Sequence, residues 1–130
     1  MAEIGHIAIR THDVEKTAAF YKEAFGLKQV GVGKNGMYLT DGHLNIAILN
    51  IRPVVAGEKM KLGFDHIGFH VENVDAAIAR IKSLGGKILE GENEVTPGDP
   101  AQPQSYFEVK CVGPDDQVMD VSSAGWVGAS

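Results

Sequence analysis

IGHIAIRTHDVEKTAAFYKEAFG, residues 4–26, is followed 60 positions later by FDHIGFHVENVDAAIARIKSLGG, residues 64–86. A histidine occupies the same place in both stretches, as His6 and His66, and the apolar positions around it agree more closely than the residue identities do. Because similarity at a fixed offset indicates duplicated structural units, the chain is predicted to contain two copies of one supersecondary motif.

Each copy opens with a strand pattern and continues with a helix pattern. HIAIR and HIGFH alternate apolar residues with small or polar ones, which is typical of a half-buried strand. Apolar residues at helical spacing follow, and Asp13 and Asn73 are suitable N-caps because a short acceptor side chain satisfies the first free N–H groups. Gly26 and the pair Gly85-Gly86 predict the helix ends, where a positive φ is expected.

Three short strand candidates follow each helix. They lie near residues 28–32, 37–40 and 44–49 in the first copy, and near 87–90, 106–111 and 118–122 in the second. The stretch 90–104, EGENEVTPGDPAQPQ, is rich in Pro, Gly and acidic residues and predicts either a loop over a site or plain surface. The predicted element order is therefore βαβββ, twice.

A βαβββ unit has one sheet face covered by its helix and one face exposed. Setting the two sheets edge to edge would curl them around the exposed faces. We therefore predict an α+β fold in which two βαβββ modules form a curved half-barrel sheet around a central cavity. The expected organisation is one domain over residues 1–130, with modules at about 4–52 and 62–124 and a linker at about 53–61.

Composition limits the classes of function. The chain has 130 residues and a formal net charge of −5, and its cations are scattered, which argues against a nucleic-acid surface. No stretch reaches the roughly 18 apolar residues that a membrane span needs. The start of the chain does not resemble a signal peptide, and the single Cys111 cannot form an internal disulfide. We therefore expect a cytoplasmic protein that acts neither on nucleic acid nor in a membrane.

These features resemble the vicinal oxygen chelate superfamily, which includes glyoxalase I, extradiol dioxygenases, methylmalonyl-CoA epimerase, fosfomycin-modifying thiol transferases and bleomycin-resistance proteins. HIAI, HIGF, the helix VEKTAAFYKEAFGL and the closing stretch GPDDQVMDVS carry the resemblance, which covers about residues 4–121. It implies metal ligands on the first and last strands of each module, at His6, His66 and Asp120. It also implies a homodimer, in which the modules close on each other within one chain or swap across the dimer.

The fourth ligand position of the resemblance carries no acid in this chain. Alignment of DGHLNIAIL with DDQVMDVSS places it on Ile46, where glyoxalase I typically has a glutamate, and a shift by one residue would place it on Asn45 or Ala47. Two imidazoles and one carboxylate would leave coordination positions open on a divalent ion such as Fe, Mn, Zn or Ni. Extradiol dioxygenases and fosfomycin transferases have a similar three-ligand set, with Glu in place of Asp120.

Five further residues are candidates for the site. Arg10 and His70 share the inward side of their strands with the two histidine ligands. Arg10 could therefore bind a substrate carboxylate, pair with Glu108 or lie at the mouth of the barrel. His70 could act as an acid or base, and Glu108 as a general base. The resemblance to extradiol enzymes makes Tyr106 a catalytic candidate near the substrate, and Tyr38 is its counterpart in the first module, where it could bind substrate.

Two functional hypotheses follow. In the first, the chain is a metalloenzyme of the glyoxalase or extradiol dioxygenase type, whose ion binds two oxygens of a small substrate as Lewis acid and template. Ring-cleaving dioxygenation would require Fe(II) or Mn(II), whereas lyase, isomerase or epimerase chemistry would require only a Lewis acid and a base. In the second, the chain binds a small molecule without metal or catalysis, as bleomycin-resistance proteins do, and the missing acid at Ile46 favours this alternative.

Overall fold

A computed structural model describes residues 1–51, 61–90 and 108–129 of the chain. The first module contains β1 (Glu3–Thr11), α1 (Val14–Phe25), β2 (Lys28–Gly33), β3 (Gly36–Thr40) and β4 (Asn45–Asn50). The second contains β5 (Gly63–His70), α2 (Val74–Ser83), β6 (Lys87–Glu90), β7 (Val109–Val112) and β8 (Val118–Ser122). The predicted α+β class and doubled element order are confirmed. Most of the predicted linker and of the loop at 90–104, and Tyr106, lie outside the described residues.

The predicted caps delimit both helices. Asp13 Oδ1 accepts the backbone N–H of Lys16 at 3.0 Å, and Asn73 Oδ1 accepts that of Ala76 at 2.9 Å. Gly26 follows α1 with a φ of 69°. These contacts satisfy helix-end groups that have no intrahelical partner, so each helix begins and ends where its sequence signals lie. Neither helix in the described part of the chain is long and apolar enough to cross a membrane.

The eight strands form one open, curved sheet in the order β2-β3-β4-β1-β5-β8-β7-β6. Within each module the first strand pairs in parallel with the last, β1 with β4 and β5 with β8. The two modules meet through the antiparallel pair β1–β5, inside a single chain. The first strands of both modules therefore lie side by side at the middle of the sheet.

The helices cover one face of the sheet and leave the concave face for other residues. Under α1 the buried cluster consists of Ala18, Leu39 and Ile48, and under α2 it consists of Ile78, Val109, Cys111 and Val121. On the concave face the first module contributes a third cluster, Ala8, Tyr38 and Ala47. The small residues of this cluster leave room for a chain segment to pack on the concave face.

Two β-bulges lie directly before the two repeated histidines. The β1–β5 register skips Gly5 on one strand and Asp65 on the other. In each case the bulged residue and the following histidine are both buried, which breaks the alternation of an ordinary strand. The bulges therefore place Gly5 and Asp65, as well as His6 and His66, in the interior.

Candidate metal centre

His6 from β1, His66 from β5 and Asp120 from β8 bring three ligand atoms together in the interior. The Nε2 atoms of the two histidines are 3.2 Å apart, and Asp120 Oδ2 lies 2.9 Å from His66 Nε2 and 3.9 Å from His6 Nε2. Bonds of about 2.0–2.2 Å to one ion would separate its ligand atoms by about 3–4 Å. The three residues, all from one chain, could therefore hold a single divalent ion.

Asn45 orients the His6 ring. Its Nδ2 donates to the carbonyl of Val127 at 2.8 Å, so its Oδ1 faces His6 Nδ1 at 2.7 Å. Because an amide oxygen only accepts, the proton of neutral His6 lies on Nδ1. The lone pair on His6 Nε2 is then directed towards the centre, which is the usual arrangement of a histidine that binds metal.

Asp65 orients the ring of His66. Its Oδ2 lies 2.6 Å from His66 Nδ1 and 3.4 Å from Nε of Arg10, and all three side chains are buried. A carboxylate that binds the outer nitrogen of a metal-binding histidine fixes the ring and increases its basicity. The bulge at Asp65 thus supplies the outer partner of His66, with Arg10 holding the carboxylate.

Asp120 has two tasks, one for each of its carboxylate oxygens. Its Oδ1 accepts from the buried ammonium of Lys110 at 2.8 Å. Its Oδ2 is buried and lies 2.9 Å from His66 Nε2. A buried carboxylate oxygen is costly unless a cation lies beside it, either a protonated imidazole or a metal ion. The donor set fits a metal ion at the point where the three ligand atoms meet, once His66 Nε2 carries no proton.

The buried charges separate the pKa values of the two histidines. Burial lowers the pKa of His6 to about 4, although Asp120 opposes this shift. Burial also disfavours charged His66, but the negative charge of Asp120 and the hydrogen bonds to Asp120 and Asp65 outweigh it and raise the pKa of His66 to about 9. In the absence of metal, His66 therefore carries a proton at neutral pH.

Metal affinity should consequently increase with pH. The proton on His66 must leave before Nε2 can bind an ion, whereas His6 is already neutral. Below a pH of about 9 we expect the Kd for Zn²⁺ to fall roughly tenfold per pH unit, with about one proton released per ion. Calorimetric titration in two buffers of different ionisation enthalpy measures both quantities. A Kd independent of pH, with no proton release, would contradict protonation of His66.

The pairing of β4 with β1 places the fourth ligand position on Ala47, so the prediction of Ile46 was wrong by one residue. Ala47 pairs with Ala8 on β1 as Asp120 pairs with Gly68 on β5, which makes Ala47 the counterpart of Asp120. Since alanine has no ligand atom, the centre has no fourth protein ligand at that place.

Turn length explains the error. Thr40 pairs with Asn45 across the first hairpin, whereas Val112 pairs with Val118 across the second. The turn between β7 and β8 is therefore one residue longer than the turn between β3 and β4. An alignment through the turns without this extra residue selects Ile46, which packs in the cluster under α1 instead.

The other predicted site residues have different surroundings in the structure. Tyr38 is buried on the concave face against Ala8 and Ala47. His70 is exposed at the end of β5, where its Nε2 donates to the carbonyl of Ser123 at 3.0 Å. Arg10, as described above, is engaged with Asp65 and donates from Nη1 to the carbonyl of Asn50 at 3.0 Å.

Glu108 does lie at the centre, where Trp126 holds it. The indole Nε1–H donates to Glu108 Oε2 at 3.1 Å. Burial and the nearby charge of Asp120 raise the pKa of Glu108 to about 8, although Lys110 and the Trp126 hydrogen bond oppose the shift. The pKa of this carboxyl group is therefore close to the value that proton transfer near neutral pH requires.

Four residues that complete the centre were missed by sequence reasoning: Asn45, Asp65, Lys110 and Trp126. Lys110 has the same strand parity as Glu108, and Asn45 the same as Ala47, so the alternation could have identified both. The parity of Asp65 predicts the opposite face, and only the bulge brings it inward. Trp126 follows the second module, where the repeat offers no counterpart.

Comparisons with known proteins show what the chain is similar to in sequence and in fold. The sequence profile of the Glyoxalase/Bleomycin resistance protein/Dioxygenase superfamily matches residues 3–101. Metallothiol transferase FosB from Shouchella clausii (strain KSM-K16) is 29% identical over 90 residues, which is 68% of this chain and 61% of FosB. The chain thus spans less than two thirds of that relative's length.

Two solved structures show the same fold. Methylmalonyl-CoA epimerase from Mycobacterium tuberculosis superposes with a TM-score of 0.63 at 17% identity, over 91% of this chain and 85% of the epimerase. The 2,3-dioxygenase LapB from Pseudomonas sp. KL28 superposes with a TM-score of 0.66 at 17% identity, over 98% of this chain and 42% of LapB. At these identities the likeness concerns the fold alone.

Proposed function

Because the chain belongs to the glyoxalase/bleomycin resistance protein/dioxygenase superfamily, we propose that it is a divalent-metal-dependent enzyme acting on a small oxygenated substrate, with the metal held by His6, His66 and Asp120. One observation carries the proposal. Two imidazole Nε2 atoms and a buried carboxylate oxygen converge in the interior, and Asn45 and Asp65 occupy the outer nitrogens of both rings. Electron-pair donors arranged in this way favour a cation between them.

The bound ion would supply Lewis acidity towards two oxygens of the substrate. With three protein ligands, an ion at this centre would have coordination positions left for those oxygens. Lys110 holds Oδ1 of Asp120, so that Oδ2 is the oxygen presented to the metal. Glu108, in contact with Asp120 and Trp126, is placed to accept or return a proton at its carboxyl group.

Metal analysis of tag-free protein purified without oxygen tests the proposal. We expect about one Fe, Mn, Zn or Ni ion per chain in the wild type and near none in His66→Ala, because two ligands cannot hold the ion at ordinary affinity. His12→Ala is the matched control, since His12 is exposed and should not affect metal content. Fe or Mn would direct substrate tests towards oxygen chemistry, and Zn or Ni towards Lewis-acid chemistry.

A metal-free binding protein is the second candidate, and the Lys110–Asp120 ion pair favours it. With Lys110 at 2.8 Å and His66 protonated, the charge of Asp120 is balanced without any ion. The same measurement separates the candidates. Wild-type protein that stays metal-free after reconstitution, or His66→Ala protein that keeps its full metal content, would overturn the proposed centre and leave small-molecule binding as the better explanation.

A further inference from the structure

The C-terminal segment 124–129, called here the strap, crosses back from β8 over the concave face to the first module. Its Val127 carbonyl accepts from Asn45 Nδ2 at 2.8 Å, and its Gly128 carbonyl accepts from Thr40 Oγ1 at 2.8 Å. The Val127 side chain packs against the concave cluster of the first module. The strap therefore covers the side of the centre on which the fourth ligand position lies.

Trp126 is the side chain through which the strap reaches the proposed ligands. Its indole is 5% exposed and stacks on His6, with ring centroids 5.0 Å apart and ring planes at 11°. Its Nε1 donates to Glu108 Oε2 at 3.1 Å. One side chain thus contacts a ligand from β1 and a carboxyl group beside β7.

Two glycines in the central strands make room for this indole. A Cβ on Gly5 would lie 2.9 Å from Trp126 Cε3, and a Cβ on Gly68 would lie 2.7 Å from His6 Cβ and 2.8 Å from Trp126 Cη2. Neither glycine has a positive φ, so backbone conformation does not demand glycine at these positions. The space above both strands is shaped for Trp126, which marks the docked strap as part of the fold.

Asn45 joins the strap to the ligand shell a second time. One amide group binds both His6 Nδ1, at 2.7 Å, and the strap at Val127, at 2.8 Å. Displacement of the strap would therefore remove the stack on His6 and also release the amide that orients the ring.

Building on the proposed function, we propose that Trp126 is a positioning residue of the metal centre: the docked strap holds the His6 ring and the Glu108 carboxyl group in place for the ion. Docking of the strap and binding of metal then favour each other. The coupling is reciprocal, because two events that share one conformation must stabilise each other equally.

Substitution of Trp126 tests the effect of the strap on metal. We expect Trp126→Ala to weaken Co²⁺ binding about 10- to 100-fold in calorimetry, the usual effect of removing a residue that supports a ligand. Trp126→Phe keeps an aromatic ring against His6 and should restore most of the affinity. Phe25→Ala, which removes a 68% exposed aromatic ring from α1, is the control and should bind as the wild type does.

The fluorescence of the wild type tests whether the docked strap lies beside the bound metal. Trp126 is the single tryptophan of the chain, so its emission reports on the strap alone. Paramagnetic Co²⁺ beside His6 should quench this emission, saturating at one equivalent, and should not do so in His66→Ala. This measurement and the Trp126→Phe variant remain decisive if circular dichroism shows that Trp126→Ala does not fold.

The outcomes separate this inference from the proposed function. If the wild type binds Co²⁺ but Trp126→Ala binds it equally well, or if the emission does not change, the role of the strap is overturned while the metal centre stands. If calorimetry detects no Co²⁺ binding to the wild type at all, the proposed function fails first and the inference fails with it.

Discussion

Replacement of Asp120 by alanine is expected to abolish metal binding and to destabilise the metal-free chain by about 3–5 kcal/mol, the range for breaking a buried ion pair. Oδ2 is the proposed ligand atom, and Oδ1 lies 2.8 Å from the ammonium of Lys110 in the interior. The substitution removes a ligand and also the carboxylate that balances a buried cation. Metal content and urea unfolding of metal-free protein measure the two effects separately.

A double variant separates the loss of charge balance from the loss of a metal ligand. In Asp120→Ala/Lys110→Met the buried cation is absent, so most of the lost stability should return while metal remains unbound. Asp115→Ala, on the exposed turn before β8, is the surface control and should change stability by no more than about 0.5 kcal/mol. Stoichiometric metal in Asp120→Ala, or a double variant as unstable as the single one, would be inconsistent with the two tasks assigned to Asp120.

Replacement of Asp65 by alanine should also have a large effect, although Asp65 would not touch the metal. We expect metal affinity to fall about 10- to 100-fold, because His66 loses the acceptor that fixes its ring. Stability should fall by about 3 kcal/mol, since buried Arg10 loses the carboxylate that neutralises it. Calorimetric titration below the unfolding transition gives the affinity, and urea unfolding gives the stability.

Asp65→Asn distinguishes positioning of the His66 ring from neutralisation of Arg10. It keeps an oxygen that can accept the proton of His66 Nδ1, but it has no charge to offset Arg10. We therefore expect the affinity to recover more than the stability does. Unchanged metal affinity in Asp65→Ala would mean that the 2.6 Å contact to His66 does not position the ring.

The doubled motif was sufficient to predict the fold, because both copies combine strand alternation, an N-cap and a glycine stop in the same order. The alternation also predicted that His6 and His66 face the concave side, where both are buried. The roles of these residues and of Asp120 as metal ligands came from the resemblance. They remain predictions that the metal analysis will test.

The details that sequence could not supply are departures from regular geometry. The bulge at Asp65 reverses the direction expected from period-two alternation, and the longer β7–β8 turn moved the fourth position from Ile46 to Ala47. Trp126 returns to the first module after the repeat has ended, so no local pattern indicates its partner. The bulge and the return of Trp126 depend on contacts between residues far apart in the chain, whereas the turn length depends on where strand pairing ends within each hairpin.

The pairing of β1 with β5 inside one chain has a consequence for populations of molecules. His6, His66 and Asp120 meet without a contribution from a second copy, so dilution of the protein should not dismantle the proposed centre. In a mixture of wild-type and His66→Ala chains, we expect no hybrid centres to form by subunit exchange. The metal bound by such a mixture would simply follow the fraction of wild-type chains, whatever assembly the copies form.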